Sequence, residues 1–124
     1  MTQSTNLPTI ASTNKNPLVI SKPFSLSSLI GDWTLSSMAD EGEILYMNAE
    51  FIYDFSSNGM FSVTKYYGEQ MIVSNGKVEV DEDNHTVNLM VDGESLKFEV
   101  VKITSLEMML VHNSGLEYNF LKNT

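Results

Sequence analysis

From Leu29 onward the chain is a series of short segments in which apolar and polar residues alternate, each closed by a turn signal. Phe51, Tyr53 and Phe55 alternate in one segment, Val87, Leu89 and Val91 in another, and Leu116, Tyr118 and Phe120 in the last. Period two sustained over about four to eight residues marks a strand. The punctuation is Asn58-Gly59, Tyr67-Gly68, Asn75-Gly76, Asp83-Asn84, Asp92-Gly93, Thr104-Ser105 and Asn113-Ser114-Gly115. Among them, Asn-Gly and Asp-Gly tolerate the positive φ of tight hairpins. The spacing leaves no room for crossover helices, so neighbouring strands pair antiparallel. A meander of about eight or nine strands curls and closes to remove its edges. The pattern therefore predicts an all-β fold, a small antiparallel up-and-down β-barrel. Leu96, Phe98 and Val100 hold one phase, whereas Val101 and Ile103 hold the other, which predicts a bulge between Val100 and Val101. Only residues 25–30 suit a short helical turn.

The chain has 124 residues, enough for one domain. Its beginning differs from the rest. No acid precedes Asp32, and Pro8, Pro17 and Pro23 stand among Ser, Thr and Asn. Residues 1–23 are expected to form an extended arm and residues 24–124 the barrel. Leu18, Val19 and Ile20 lie between two prolines and, with Phe24, form a run able to add a strand to a sheet edge. The expected partner of the arm is another protein or a second copy of the chain.

Sixteen Asp and Glu face seven Lys, with no Arg and no Cys, for a net charge of −9. A nucleic-acid binder needs a cationic footprint, so that class is excluded. Without Cys there is no thiol nucleophile, thiolate metal site or lipid-anchoring cysteine. His85 and His112, the only histidines, fall at opposite ends of the meander, at solvent-exposed strand ends. Asp81-Glu82-Asp83-Asn84 lacks the remaining ligands of a calcium loop. No catalytic residue, metal or cofactor is expected, and the chain reads as non-enzymatic. No apolar run approaches a membrane span. The absence of a signal peptide and lipobox cysteine predicts a cytoplasmic protein, or a virion-associated one if phage-encoded.

Loops of a meander alternate between two ends. Turns at 56–59, 75–76, 92–93 and 113–115 fall at one end. The other receives 67–70, 82–84, 104–106 and the long connection 38–49, the natural lid of a mouth. That end is expected to carry an acidic rim of Asp40, Glu41, Glu43, Glu82 and Asp83. Eight Met in the chain suggest an adaptable apolar interior. Tyr46, Met47, Met71, Met90 and Met108 are the expected lining of the cavity and mouth, with a small apolar ligand, neutral or cationic, as occupant. Trp33, the sole tryptophan, is expected to plug the closed end.

Three stretches carry a resemblance. Leu29-Ile30-Gly31-Asp32-Trp33-Thr34-Leu35 resembles the Gly-x-Trp start of lipocalins. Phe51-Ile52-Tyr53-Asp54-Phe55 followed by Asn58-Gly59-Met60-Phe61, and the hairpin of residues 101–110, resemble the small lipocalin-like domains of Bacteroidetes-type bacteria. The resemblance covers about residues 26–122. It implies an antiparallel barrel, often with an internal cavity, and names no ligand. Those domains are typically exported lipoproteins, and this chain departs from them in having neither signal peptide nor Cys. The resulting expectation is an interaction module for an apolar ligand or a protein. The alternatives are an assembly component, such as a phage particle's, anchored by the arm, or an acidic inhibitor of a basic protein.

Overall fold

A computed structural model describes residues 24–123. A single helical turn, α1 (Leu26–Leu29), precedes nine strands: β1 (Gly31–Asp40), β2 (Glu43–Ile44), β3 (Glu50–Phe55), β4 (Met60–Tyr67), β5 (Gln70–Asp81), β6 (Thr86–Val91), β7 (Glu94–Ile103), β8 (Glu107–His112) and β9 (Leu116–Lys122). Every ladder is antiparallel. Strands β1 and β3 to β9 pair in succession, and β1 also pairs with β9, which closes an eight-stranded barrel. The two-residue β2 folds back on the end of β1 as an extra strand.

Alternation sets the core. Trp33, Phe55, Phe61, Phe98, Phe120 and Leu29 all point inward and are fully buried. No polar or charged residue among those described is fully buried. The register of β7 against β8 slips by one residue between Val100 and Lys102. The slip falls where the phase change in the sequence predicts, but Val101, the extra residue, is turned outward and does not share the buried side of Ile103. A second slip between Leu35 and Ser37 bends β1 into the closing seam.

The helical turn seals one end, the floor. The Trp33 indole N–H donates to the Leu29 carbonyl at 2.8 Å, which ties α1 to the first strand. The Ser25 N–H donates to Ser28 Oγ at 3.2 Å and steadies the turn. Phe24 is buried just before it, edge-on to His85 at 6.2 Å between centroids. Phe24 is therefore a core residue and not part of a docking arm. The expected arm residues Leu18, Val19 and Ile20 lie outside the described residues.

One expected turn is absent. Asn75-Gly76 is not a hairpin, because β5 runs unbroken through it for 12 residues. Gly76 is required there for closeness. A Cβ would stand 2.2 Å from the Met90 carbonyl oxygen and 2.8 Å from the Phe61 ring. Removing this turn reassigns every later loop. The floor end holds the connections 56–59, 82–85 and 104–106. The mouth end holds 41–49, 68–69, 92–93 and 113–115.

Candidate functional site

Floor and mouth differ in packing. Toward the floor the interior is filled by Trp33, Phe55, Phe61, Phe120 and Met108, all fully buried or nearly so. Toward the mouth the inward residues are only partly buried and pack against that core from above: Met38, Met47, Phe51, Tyr53, Leu96 and Tyr118. Tyr53 lies on β3, edge-on to Phe120 at 5.1 Å, and Tyr118 lies on β9, edge-on to Phe98 at 5.0 Å. Alternation alone puts both phenols inside, since Tyr53 pairs with Trp33 and Val63 and Tyr118 with Met38 and Leu110.

Burial pushes the Tyr53 phenol far above its ordinary range, with the nearby Tyr118 as a lesser cause. Burial also raises Tyr118. Both hydroxyls are thus neutral donors at any physiological pH. Neither has a side-chain hydrogen-bond partner among the described residues. Two uncharged donors set among half-buried apolar side chains can orient the polar end of a small molecule.

The expected site residues divide between the two ends and the two faces. Met47 alone of the five cavity residues lies in the partly buried mouth layer. Tyr46 stands out from the β1–β3 connection at 90 % exposure. Met108 is buried in the floor, paired with Phe120 and Ile103. Met71 and Met90 face outward, because their ladder partners Tyr66 and Lys77 do. Parity overturns these assignments: each Met neighbours an inward residue in sequence and so points the other way.

The acidic rim also divides. Asp40, Glu41 and Glu43 stay at the mouth, where Glu41-Gly42 turns β1 into β2 with positive φ at both residues. Glu82 and Asp83 lie at the floor in the β5–β6 connection. There the Asp81 carboxylate caps the turn, accepting the Asn84 N–H at 3.2 Å and the Asn84 side-chain amide at 2.8 Å. That hydrogen bonding holds Asp81 below the usual carboxylate range. Asp92 and Glu94, in and after the β6–β7 turn, replace the lost pair at the mouth end, which also holds Glu69 in the β4–β5 turn. Lys65, missed in the sequence, shares the inward row of Phe51 and Ile72, and its ammonium lies 5.8 Å from the Tyr67 ring centroid.

The histidines are at opposite ends, as the spacing predicts, but half-buried rather than solvent-exposed. His85 packs on Phe24 at the floor. His112 packs on Phe98 at 5.3 Å near the mouth, and its Nδ1 accepts the Ser114 N–H at 3.1 Å. Among the described residues, no three His, Asp or Glu side chains are grouped to hold a metal ion. No described helix is long and apolar enough to cross a membrane.

This architecture is that of a lipocalin-like barrel. Among solved structures, a lipocalin-like protein from Bacteroides uniformis ATCC 8492 superposes with a TM-score of 0.68 at 15 % identity, over 77 % of this chain and 99 % of that one. An uncharacterized protein from Bacteroides eggerthii DSM 20697 gives 0.65 at 15 % identity, over 76 % and 98 %. A second protein from Bacteroides uniformis ATCC 8492, solved by NMR, gives 0.64 at 16 % identity, over 81 % and 93 %. At such identities the likeness establishes the fold. No protein-family model matches the chain, and no curated protein matches it in sequence.

Proposed function

We propose that this chain is a non-catalytic binding module that holds one small apolar molecule, neutral or cationic, in the mouth half of its barrel. The carrying observation is the burial asymmetry: a floor packed with buried aromatic rings beneath a layer of half-buried apolar residues and two neutral phenols. A barrel of eight strands is the size at which the interior either fills with side chains or holds one small ligand. The ligand's hydrogen-bond acceptor meets Tyr53 or Tyr118, and its apolar body lies against Met38, Met47 and Phe51. Asp40, Glu41, Glu43, Glu69, Asp92 and Glu94 surround the mouth, with Lys65 the opposing charge on its inward face. The net field at the mouth is negative, which disfavours a fatty-acid anion.

Native mass spectrometry with a panel of neutral lipids, apolar amines and free fatty acids tests this reading. Retention of neutral or cationic members, weakened about tenfold by Tyr118→Phe, is expected for one lost hydrogen bond of about 1.4 kcal/mol. Preferential retention of fatty acids, or of none of the panel, overturns it.

A further inference from the structure

The fold fixes the direction in which His112 can hydrogen-bond. His112 pairs with Phe98 across β7 and β8, so it shares the inward face of that buried residue. Its ring stands edge-on to the Phe98 ring at 5.3 Å between centroids. Nδ1 accepts the Ser114 backbone N–H at 3.1 Å and lies 2.8 Å from Ser114 Oγ. A backbone N–H can only donate, so Nδ1 carries no proton, and the neutral imidazole holds its proton on Nε2. The two ring nitrogens point in nearly opposite directions. Nδ1 faces the turn 113–115, so the Nε2 N–H faces away from it. Among the described residues no side chain accepts that N–H.

Tyr118 stands beside it. Leu110, one inward position below His112 on β8, pairs with Tyr118 on β9. His112 and Tyr118 are therefore diagonal neighbours, about 7–8 Å apart at the backbone and within reach of each other's long side chains. The Tyr118 ring packs on the same Phe98, edge-on at 5.0 Å. Burial keeps its phenol protonated. Two donors without a side-chain partner among the described residues thus flank one buried aromatic ring. Unpaired donors are costly once they leave water, and an occupant with acceptor lone pairs satisfies both.

We propose that His112 Nε2 and the Tyr118 hydroxyl form a two-donor clamp for the carbonyl oxygen of the occupant, which selects neutral carbonyl compounds over amines. The inference rests on the binding reading above and narrows it. A carbonyl oxygen has two lone pairs and accepts both donors at once. An ammonium has donors only, so it leaves both clamp groups unpaired. Asp40 and Glu94 attract such a cation, but they are exposed and screened by salt. A carboxylate suits two donors as well, but the acidic rim repels it. Lys65, the cation on the mouth's inward face, lies on β4, four strands from β8 either way round the closed barrel.

Titration of the full chain with methyl octyl ketone and with decylammonium, read by nitrogen NMR of the imidazole, tests the clamp. The free protein is expected to carry the His112 proton on Nε2. The ketone should shift the Nε2 signal and bind more tightly than decylammonium, and these readings need no variant. His112→Phe and Tyr118→Phe should each weaken the ketone about tenfold, for one hydrogen bond each, and leave decylammonium unchanged. His112→Gln keeps a donor near the Nε2 position but loses the Nδ1 acceptor, so it should recover ketone binding even with the Ser114 bond gone. Circular dichroism checks that each variant is folded. A proton on Nδ1 overturns the clamp, as does tighter binding of decylammonium. Ketone affinity that falls with Tyr118→Phe but is indifferent to His112→Phe overturns the clamp and leaves the binding reading standing. A His112→Gln variant as weak as His112→Phe assigns the loss to the turn and overturns the clamp too. Binding of neither probe overturns both.

Discussion

The ammonium of Lys122 lies 4.6 Å from the centroid of the Trp33 ring and donates to the Ile30 carbonyl at 2.8 Å. Trp33 and Lys122 are also ladder partners across the closing seam of β1 and β9. The lysine stem covers the indole where the glycine of the Gly-x-Trp stretch leaves room. A Cβ on Gly31 would stand 2.6 Å from Lys122 Cε. The short motif thus specifies a lid for the tryptophan, made from the far end of the chain.

Trp33→Ala should lower stability by about 3–5 kcal/mol, the range for truncating a large buried aromatic. It also frees the Leu29 carbonyl that holds α1 over the floor. The urea midpoint measures this, and a midpoint near that of the wild type would remove Trp33 from the core.

Gly76→Ala should cost about 1–3 kcal/mol, because the new methyl group meets the Met90 carbonyl and the Phe61 ring within the strand. Asn75→Thr should be neutral or slightly stabilising, since residue 75 is an exposed strand position. Thermal melts of the two variants decide the matter. If Asn75→Thr were the more damaging, a turn at 75–76 would be restored.

Stability should fall above about pH 10, where an unfolded tyrosine ionises while burial keeps Tyr53 neutral. A raised folded pKa contributes in full below the unfolded value and is lost as pH climbs through the folded one. Tyr53→Phe should therefore shift the alkaline unfolding midpoint upward and leave the melt at pH 7 little changed. Circular dichroism between pH 9 and 12 reads the shift, and an unmoved midpoint counts against an interior Tyr53.

Asp54 faces Asp32 across β1 and β3. Partial burial, a hydrogen bond with Asp32 and the charge of Asp32 raise the Asp54 carboxyl above its usual value. The sign is that of a proton held more tightly in the folded state, so stability is lost as pH rises through the folded pKa. Asp54→Asn should stabilise the protein at pH 7, and the gain should shrink on acidification through the carboxylate range. Denaturation at pH 7 and pH 3 tests this, and an equal effect at both would exclude the carboxylate pair as its source.

The strands themselves were legible because each has one buried face, which writes period two into the sequence. The slip at Val101 was legible for the same reason. Gly76 was not. Asn-Gly is a strong hairpin signal, and sequence alone does not tell a glycine needed for positive φ from one needed for close approach. That one dipeptide moved Glu82 and Asp83 to the wrong end. Met71, Met90 and Met108 failed on a different ground. Composition reports how many flexible apolar residues exist, whereas parity and end decide which of them face a chamber. The informative signal was Tyr53 and Tyr118, polar-tipped residues in phase with Phe55 and Phe120. Strand β2 is only two residues long, too short for any period.

The seam of β1 with β9 has a kinetic meaning. Its ladder pairs join residues 76 to 89 positions apart, from Asp40 with Leu116 to Trp33 with Lys122, and side-chain hydrogen bonds tie Ser37 to Asn119 and Thr34 to Asn123 across it. Every other ladder joins strands that are consecutive, or separated only by β2. Loop-closure entropy opposes long-range contacts, so the local hairpins zip early and the cylinder shuts last. Trp33 sits on that seam as the only indole in the chain. Its fluorescence should report the final, slow phase of refolding, lagging the far-ultraviolet signal of the strands.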